Sequence, residues 1–145
     1  MLPELEIANH HPERPFPVEW LKHQLQTALK LMLDAPGPDA PERLDVFDEL
    51  EISLVDDATI ADVHLQFMDI PGATDVITFH HGEILISLDT AAAMAPTVGH
   101  SFERETLLYA IHGLLHLHGF DDLNPDSKHR MDTRQWALLN TVDPS

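Results

Sequence analysis

Two hydrophobic periods alternate along this chain. From Val18 to Leu33 the apolar positions Leu21, Leu25, Ala28 and Met32 recur every three or four residues, which is one face of an amphipathic helix, with Pro15 and Pro17 punctuating its start. Between Val46 and Val55 the period drops to two: Leu50, Ile52 and Leu54 alternate with Glu51 and Ser53, the pattern of a half-buried strand. Leu5-Glu-Ile7 is short enough for an edge strand, and Asp34 to Pro41 is a proline-rich loop. Asp57 is placed to N-cap a helix reaching about Met68, and Asp69 to Ala73 form a turn with Pro71 and Gly72.

A buried strand is expected at Asp75 to Phe79 and another at Glu83 to Leu88. The intervening His80-His81-Gly82 is short enough for a hairpin, so this pair should be antiparallel. A short helix follows at Asp89 to Met94. Ser101 then N-caps a long helix whose core stripe is Leu107, Ile111, Leu114 and Leu115. Asp126 or Ser127 opens a last helix, with Met131, Ala137 and Leu138 packing inward and Trp136 over an edge of the core. Helices interleaved with strands, one pair of them a hairpin, give an α/β (α+β) fold: a mixed, largely four-stranded sheet covered by helices. At 145 residues one domain, residues 1–145, is expected.

Composition narrows the chemistry. Cysteine is absent, which removes disulfides and thiolate ligands and fits a cytoplasmic setting. Met1 to Pro17 lacks a basic start followed by an apolar run, and no apolar window approaches the roughly 18 residues of a membrane span, so neither secretion nor membrane insertion is expected. The formal charge is −17, and no Lys or Arg occurs from Leu44 to Glu103. That opposes phosphate binding everywhere except near Lys128, Arg130 and Arg134.

Those cations lie just beyond the stretch with metal-ligand spacing. His112 and His116 are one helical turn apart, about 6 Å along the axis, so both rings can reach one ion. Gly119 follows two residues after Leu117, where φ > 0 can end the helix and return Asp122 toward the two histidines. His112, His116 and Asp122 are therefore the expected ligands of one zinc per chain, and three protein ligands leave a fourth tetrahedral position open. His118 lies about 200° round the helix from His116 and is expected to be exposed or to support a ligand from behind; Asp121 is either an alternative third ligand or, as expected here, an acceptor for a histidine N–H.

The run His112-Gly-Leu-Leu-His116-Leu-His-Gly119-Phe-Asp-Asp122 resembles the signature His-Gly-x-Leu-His-Leu-x-Gly-Tyr/Phe-Asp-His of the YbeY family of bacterial endoribonucleases. Upstream, Thr74-Asp-Val-Ile-Thr-Phe79 resembles that family's Thr-Asp-Val-Leu-Ser-Phe strand, and Gly82-Glu-Ile84 its Gly-Asp-Ile. The likeness covers roughly residues 45 to 140. It implies a bound zinc and metal-dependent cleavage of single-stranded RNA, in small-subunit ribosomal RNA maturation and ribosome quality control. The implied partners are the small ribosomal subunit and its assembly factors, in the bacterial cytoplasm, with no DNA.

Two positions depart from the pattern. Asp122 stands where the family has a histidine, and Met68 stands where its members often carry an arginine in the substrate cleft. An anionic ligand cancels part of an ion's charge, so an activity optimum at higher pH is expected. Thr74 and Asp75 either line the cleft or close a turn that caps the strand, and Arg130 and Arg134 either bind phosphate or line a solvated helix face. No residue is a convincing general base, so the catalytic residue is left open. Two rival readings are a non-catalytic, zinc-stabilised ribosome-assembly factor and a metallopeptidase. Against the second, Gly113 occupies the place of the glutamate in His-Glu-x-x-His enzymes.

Overall fold

The computed structural model describes residues 2–144; Met1 and Ser145, the ends of the expected 1–145 domain, lie outside them. Strands β1 (Glu4–Asn9), β2 (Glu49–Val55), β3 (Val76–Phe79) and β4 (Glu83–Ser87) form one sheet in the order β1-β2-β4-β3. β1, β2 and β4 run parallel, and β3 turns back along β4 with Val76 opposite Ile86 and Phe79 opposite Glu83. The hairpin and the mixed sheet are as the sequence predicts.

Pleating decides which side chain goes where. Leu50, Ile52, Leu54, Ile84 and Ile86 face the main core, which they share with helices α1 (Val18–Met32), α3 (Leu88–Val98), α4 (Phe102–Leu117) and α5 (Pro125–Val142). On the opposite face Val55, Ile77 and Leu85 meet Ile60 of α2 (Asp57–Met68) in a smaller cluster. α4 runs through the middle of the main core, with Leu107, Ala110, Ile111, Leu114 and Leu115 fully buried. Each such leucine or isoleucine contributes about 1.5–3 kcal/mol by leaving water, which makes α4 a rigid carrier for its two histidines. Among the described residues no helix is long and apolar enough to cross a membrane.

Several boundaries move, each for a local reason. β2 begins at Glu49 because Leu44–Val46 forms a 3-10 turn that buries Leu44. α2 is capped by Asp56, whose carboxylate accepts from Thr59 N–H; Asp57 instead accepts from the hydroxyls of Ser87 and Thr90. α3 is longer than the expected six residues, continuing through Pro96 to a left-handed Gly99. α5 starts earlier, because Asn124 and Ser127 cap each other reciprocally ahead of Pro125. Its buried stripe is Met131, Gln135, Leu138 and Leu139, so the expected inward Ala137 is exposed.

Candidate metal centre

The site is built from the last turns of α4 and the loop that follows. Ser101 caps the helix by accepting from Arg104 N–H at 3.1 Å, and His112 and His116 emerge from one face with ring centroids 4.8 Å apart. Between them, Gly113 lies where α4 crosses the sheet: a Cβ there would come within 3.0 Å of Ile84 Cδ1 and 3.1 Å of Thr78 Oγ1. Glycine at this position lets the helix sit close on β3 and β4, and a side chain there would press Ile84 and Thr78 back by a few tenths of an ångström.

The helix ends at a crossing of two backbones. Gly119 has φ of +82°, and a Cβ on it would meet the Ala40 carbonyl at 2.5 Å. Its own carbonyl accepts from the N–H groups of Asp39 and Ala40 at 2.9 and 3.1 Å. The proline-rich loop is thus laced to the turn that brings Asp122 round. His118 completes the lacing: Nδ1 accepts from Leu44 N–H at 3.1 Å and Nε2 donates to the Ala35 carbonyl at 2.7 Å. It is buried, neither exposed nor supporting a ligand, because at the helix cap it leaves the helical path and turns into the loop.

The turn does bring the three expected groups together: one donor atom each from His112, His116 and Asp122 lies within 4.8 Å of the others. The two Nε2 atoms are 3.2 Å apart, and Asp122 Oδ2 is 3.9 Å from His116 Nε2. Donors about 2.0–2.2 Å from a tetrahedral zinc stand about 3.3–3.6 Å from one another, so Asp122 must move in by about 1 Å to close the set.

Hydrogen bonding behind the rings decides the tautomers. Gln135 Oε1 lies 2.7 Å from His112 Nδ1 and is an acceptor, so Nδ1 carries the proton and Nε2 presents a lone pair to the cleft. His116 is backed by the Phe120 backbone. Burial first, and then neighbouring His112, hold its pKa below the ordinary imidazole value against the opposing pull of Asp122. The His112 lone pair, His116 Nε2 and a carboxylate therefore face one point, a donor set that fits the implied zinc.

Gln135 replaces Asp121 as the acceptor for a histidine N–H. Asp121 turns away, taking the Ser127 hydroxyl and Leu123 N–H, which lower its pKa. The signal for Gln135 was present in the sequence: an amide stands on the buried stripe of α5, four residues after Met131.

Above the three donors lies an open hollow of about 290 Å³, with Met68, Asp75, Val76, Thr78 and His80 along its wall. Asp75 Oδ1 accepts from Val76 N–H at 2.8 Å and from the Thr74 hydroxyl at 3.3 Å. Asp75 thus lines the cleft and Thr74 steadies it from outside the lining. His81 points to the other face and stacks on Phe79. Arg130 and Arg134 do not share the cleft. They border a separate hollow, where Arg130 pairs with the Asp39 carboxylate and Arg134 donates to the Leu31 carbonyl at 2.8 Å.

Comparison with known proteins agrees with this architecture. The family described as Endoribonuclease YbeY matches residues 6–143. An "Endoribonuclease YbeY" of Beutenbergia cavernae is 38% identical over 110 residues, which cover 64% of this chain and 73% of that protein. One of Rhodococcus erythropolis is 36% identical over 118 residues, covering 67% and 66%. Against relatives from Mycobacterium strains the chain spans 62% of their length. The solution structure of TM1509 from Thermotoga maritima superposes with a TM-score of 0.63 at 23% identity, over 95% of this chain and 88% of the other, a likeness of fold.

Proposed function

The chain belongs to the endoribonuclease YbeY family, and from that premise we propose that it is a zinc-dependent, single-strand-specific endoribonuclease. Its work is small-subunit ribosomal RNA maturation and quality control, in the cytoplasm, beside the small subunit and its assembly factors. The observation that carries the reading is the convergence of His112 Nε2, His116 Nε2 and the Asp122 carboxylate on the floor of an open cleft. Those three residues would hold one ion. When bound, it supplies Lewis-acid and water-activating chemistry.

The chain's own groups do the rest. Gln135 keeps the His112 ring in the tautomer that leaves Nε2 free to bind. β3 forms the wall against which a strand of RNA lies. Asp75 is the carboxylate lining that wall outside the three donors; with Oδ1 engaged by Val76 N–H, its Oδ2 remains to accept a proton.

The metallopeptidase reading lacks its general base, since Gly113 stands where His-Glu-x-x-His enzymes carry the glutamate. The assembly-factor reading draws on the −17 charge. One experiment separates the readings: cleavage of labelled single-stranded RNA, the same RNA as duplex, and a peptide, with zinc and after chelation. Zinc-dependent cleavage of single strands alone is expected. Zinc binding with no RNA cleavage would leave the assembly factor standing. Asp75→Asn should lower kcat by about a hundredfold, the lower end of the general-base range, with zinc content unchanged.

A further inference from the structure

An RNA-cleaving site ordinarily meets its phosphates with cations. The residues lining this cleft include neither lysine nor arginine, and α2, β3, β4 and α3 carry none at all. The nearby cations of α5 are engaged: Lys128 with Asp132 at 2.7 Å, Arg130 with Asp39, and Arg134 with the Leu31 carbonyl. Asp75 and Asp122 stand in the cleft instead. Beside the ion that His112, His116 and Asp122 would hold, a phosphodiester entering it meets the Asp75 carboxylate and no cationic side chain.

The mouth of the cleft has a second character. On one bank Met68 and Ile70 are 43% and 47% exposed; on the other, directly after Asp122, Leu123 is 85% exposed. Met68 and Asp122 both line the cleft, so the two banks flank one opening. Apolar groups gathered around an opening mark a contact surface.

We infer that a basic protein partner with an apolar face docks across this mouth, and that one of its arginine or lysine side chains enters the cleft as the cation this chain lacks. The inference rests on the RNA-cleaving reading above. Charge selects the occupant. A mouth without lysine or arginine on a chain of net charge −17 disfavours a bare polyanion and would repel a second copy of itself, whereas it attracts a polycation. The apolar banks then supply contact, and the guanidinium or ammonium supplies what Met68 does not.

The zinc-loaded full chain tests this with three synthetic peptides: arginines on one helical face and leucines on the other, the same charge without leucines, and the same leucines with glutamates for arginines. The first should shift the amide signals of residues 65–70 and 123 and raise single-stranded RNA cleavage at least about tenfold, as expected for one charge-assisted contact. The other two should do neither. Ile70→Asp should weaken the first peptide's binding about tenfold, the loss expected for one buried apolar anchor. Met68→Arg should raise peptide-free cleavage and abolish most of the stimulation, because the cation is then supplied in cis.

Equal stimulation by the leucine-free peptide, shifts at another surface, or self-association through the mouth would overturn the inference. So would unchanged binding in Ile70→Asp. Cleavage without any peptide binding removes the docking surface and spares the nuclease. Peptide binding at the mouth with no cleavage under any condition, Met68→Arg included, removes the nuclease and spares the docking surface.

Discussion

Two histidine–aspartate clusters in this molecule use the same side chains to opposite ends. Around His11, every ring lone pair and proton has a partner. Nδ1 accepts from the N–H groups of Glu13 and Arg14 at 3.0 and 2.9 Å, and Nε2 donates to Asp89 at 2.8 Å. Asp89 in turn takes the Arg14 guanidinium and Asp57 N–H, each within 2.9 Å. Around His112 and His116 the backs of the rings are satisfied while the fronts are not, and a carboxylate closes the third side. The first cluster ties the loop after β1 to the start of α3; the second can take an ion. Residue type does not separate them. What separates them is whether the protein itself uses up the lone pairs.

That contrast breaks most visibly at the metal. His112→Ala or His116→Ala should lower zinc affinity by more than about a hundredfold in a chelator-competition titration, since a direct ligand matters at least as much as the groups behind it. His11→Ala should leave zinc affinity unchanged and lower the melting temperature. If the His11 variant lost zinc as well, the clusters would be coupled and the distinction would fail.

Gln135→Leu sharpens the comparison, because it removes no ligand. It frees His112 Nδ1 and with it the ring's tautomer, so zinc affinity should fall about 10 to 100-fold. Full affinity in this variant would mean that packing alone orients His112.

The donors were legible in the sequence and their supports were not, for one physical reason. His112 and His116 are related by the helical period, and Asp122 by a turn that Gly119 announces, all within eleven residues. Gln135 meets His112 only once α5 has packed on α4, 23 residues further on, and His118 meets Ala35 83 residues back. Arg130 and Arg134 reach Asp39 and Leu31 across 91 and 103 residues, so local spacing suggested free cations where the fold had already engaged them. The sheet was readable because alternation in Leu50–Leu54 and the His80-His81-Gly82 hairpin are local. Helix starts were less so, being decided by which of two adjacent polar residues turned inward: Asp56 rather than Asp57, Asn124 rather than Asp126 or Ser127.

His118 offers a smaller effect and a cleaner control, since it lies within the ligand run without serving the ion. His118→Phe keeps the ring volume but leaves Leu44 N–H and the Ala35 carbonyl without their partner. It should destabilise the fold by about 2 kcal/mol in urea unfolding, the cost of buried polar groups left unmade. Zinc affinity should change less than about threefold, a fraction of what a supporting residue costs. A loss as large as that of Gln135→Leu would show that the laced loop controls the ligand turn.

The smallest effect belongs to the saturated cluster and is read with pH. Burial pushes the Asp89 carboxyl up, but Arg14, Asp57 N–H and His11 outweigh it and hold its pKa at about 2, below the ordinary 3.8. A carboxyl more acidic in the folded chain than in the unfolded one stabilises the fold when ionised. Its contribution is complete above about pH 4 and disappears as pH falls through about 2. Arg14→Gln should raise the Asp89 pKa, followed by carboxyl carbon shifts, and start that loss at higher pH. Because Arg14 is 44% exposed and water screens the pair, the loss in stability should stay below about 1 kcal/mol at neutral pH. Zinc affinity at neutral pH should be unaffected, since nothing in this cluster points at the cleft; a parallel loss of zinc would end the separation between the two clusters.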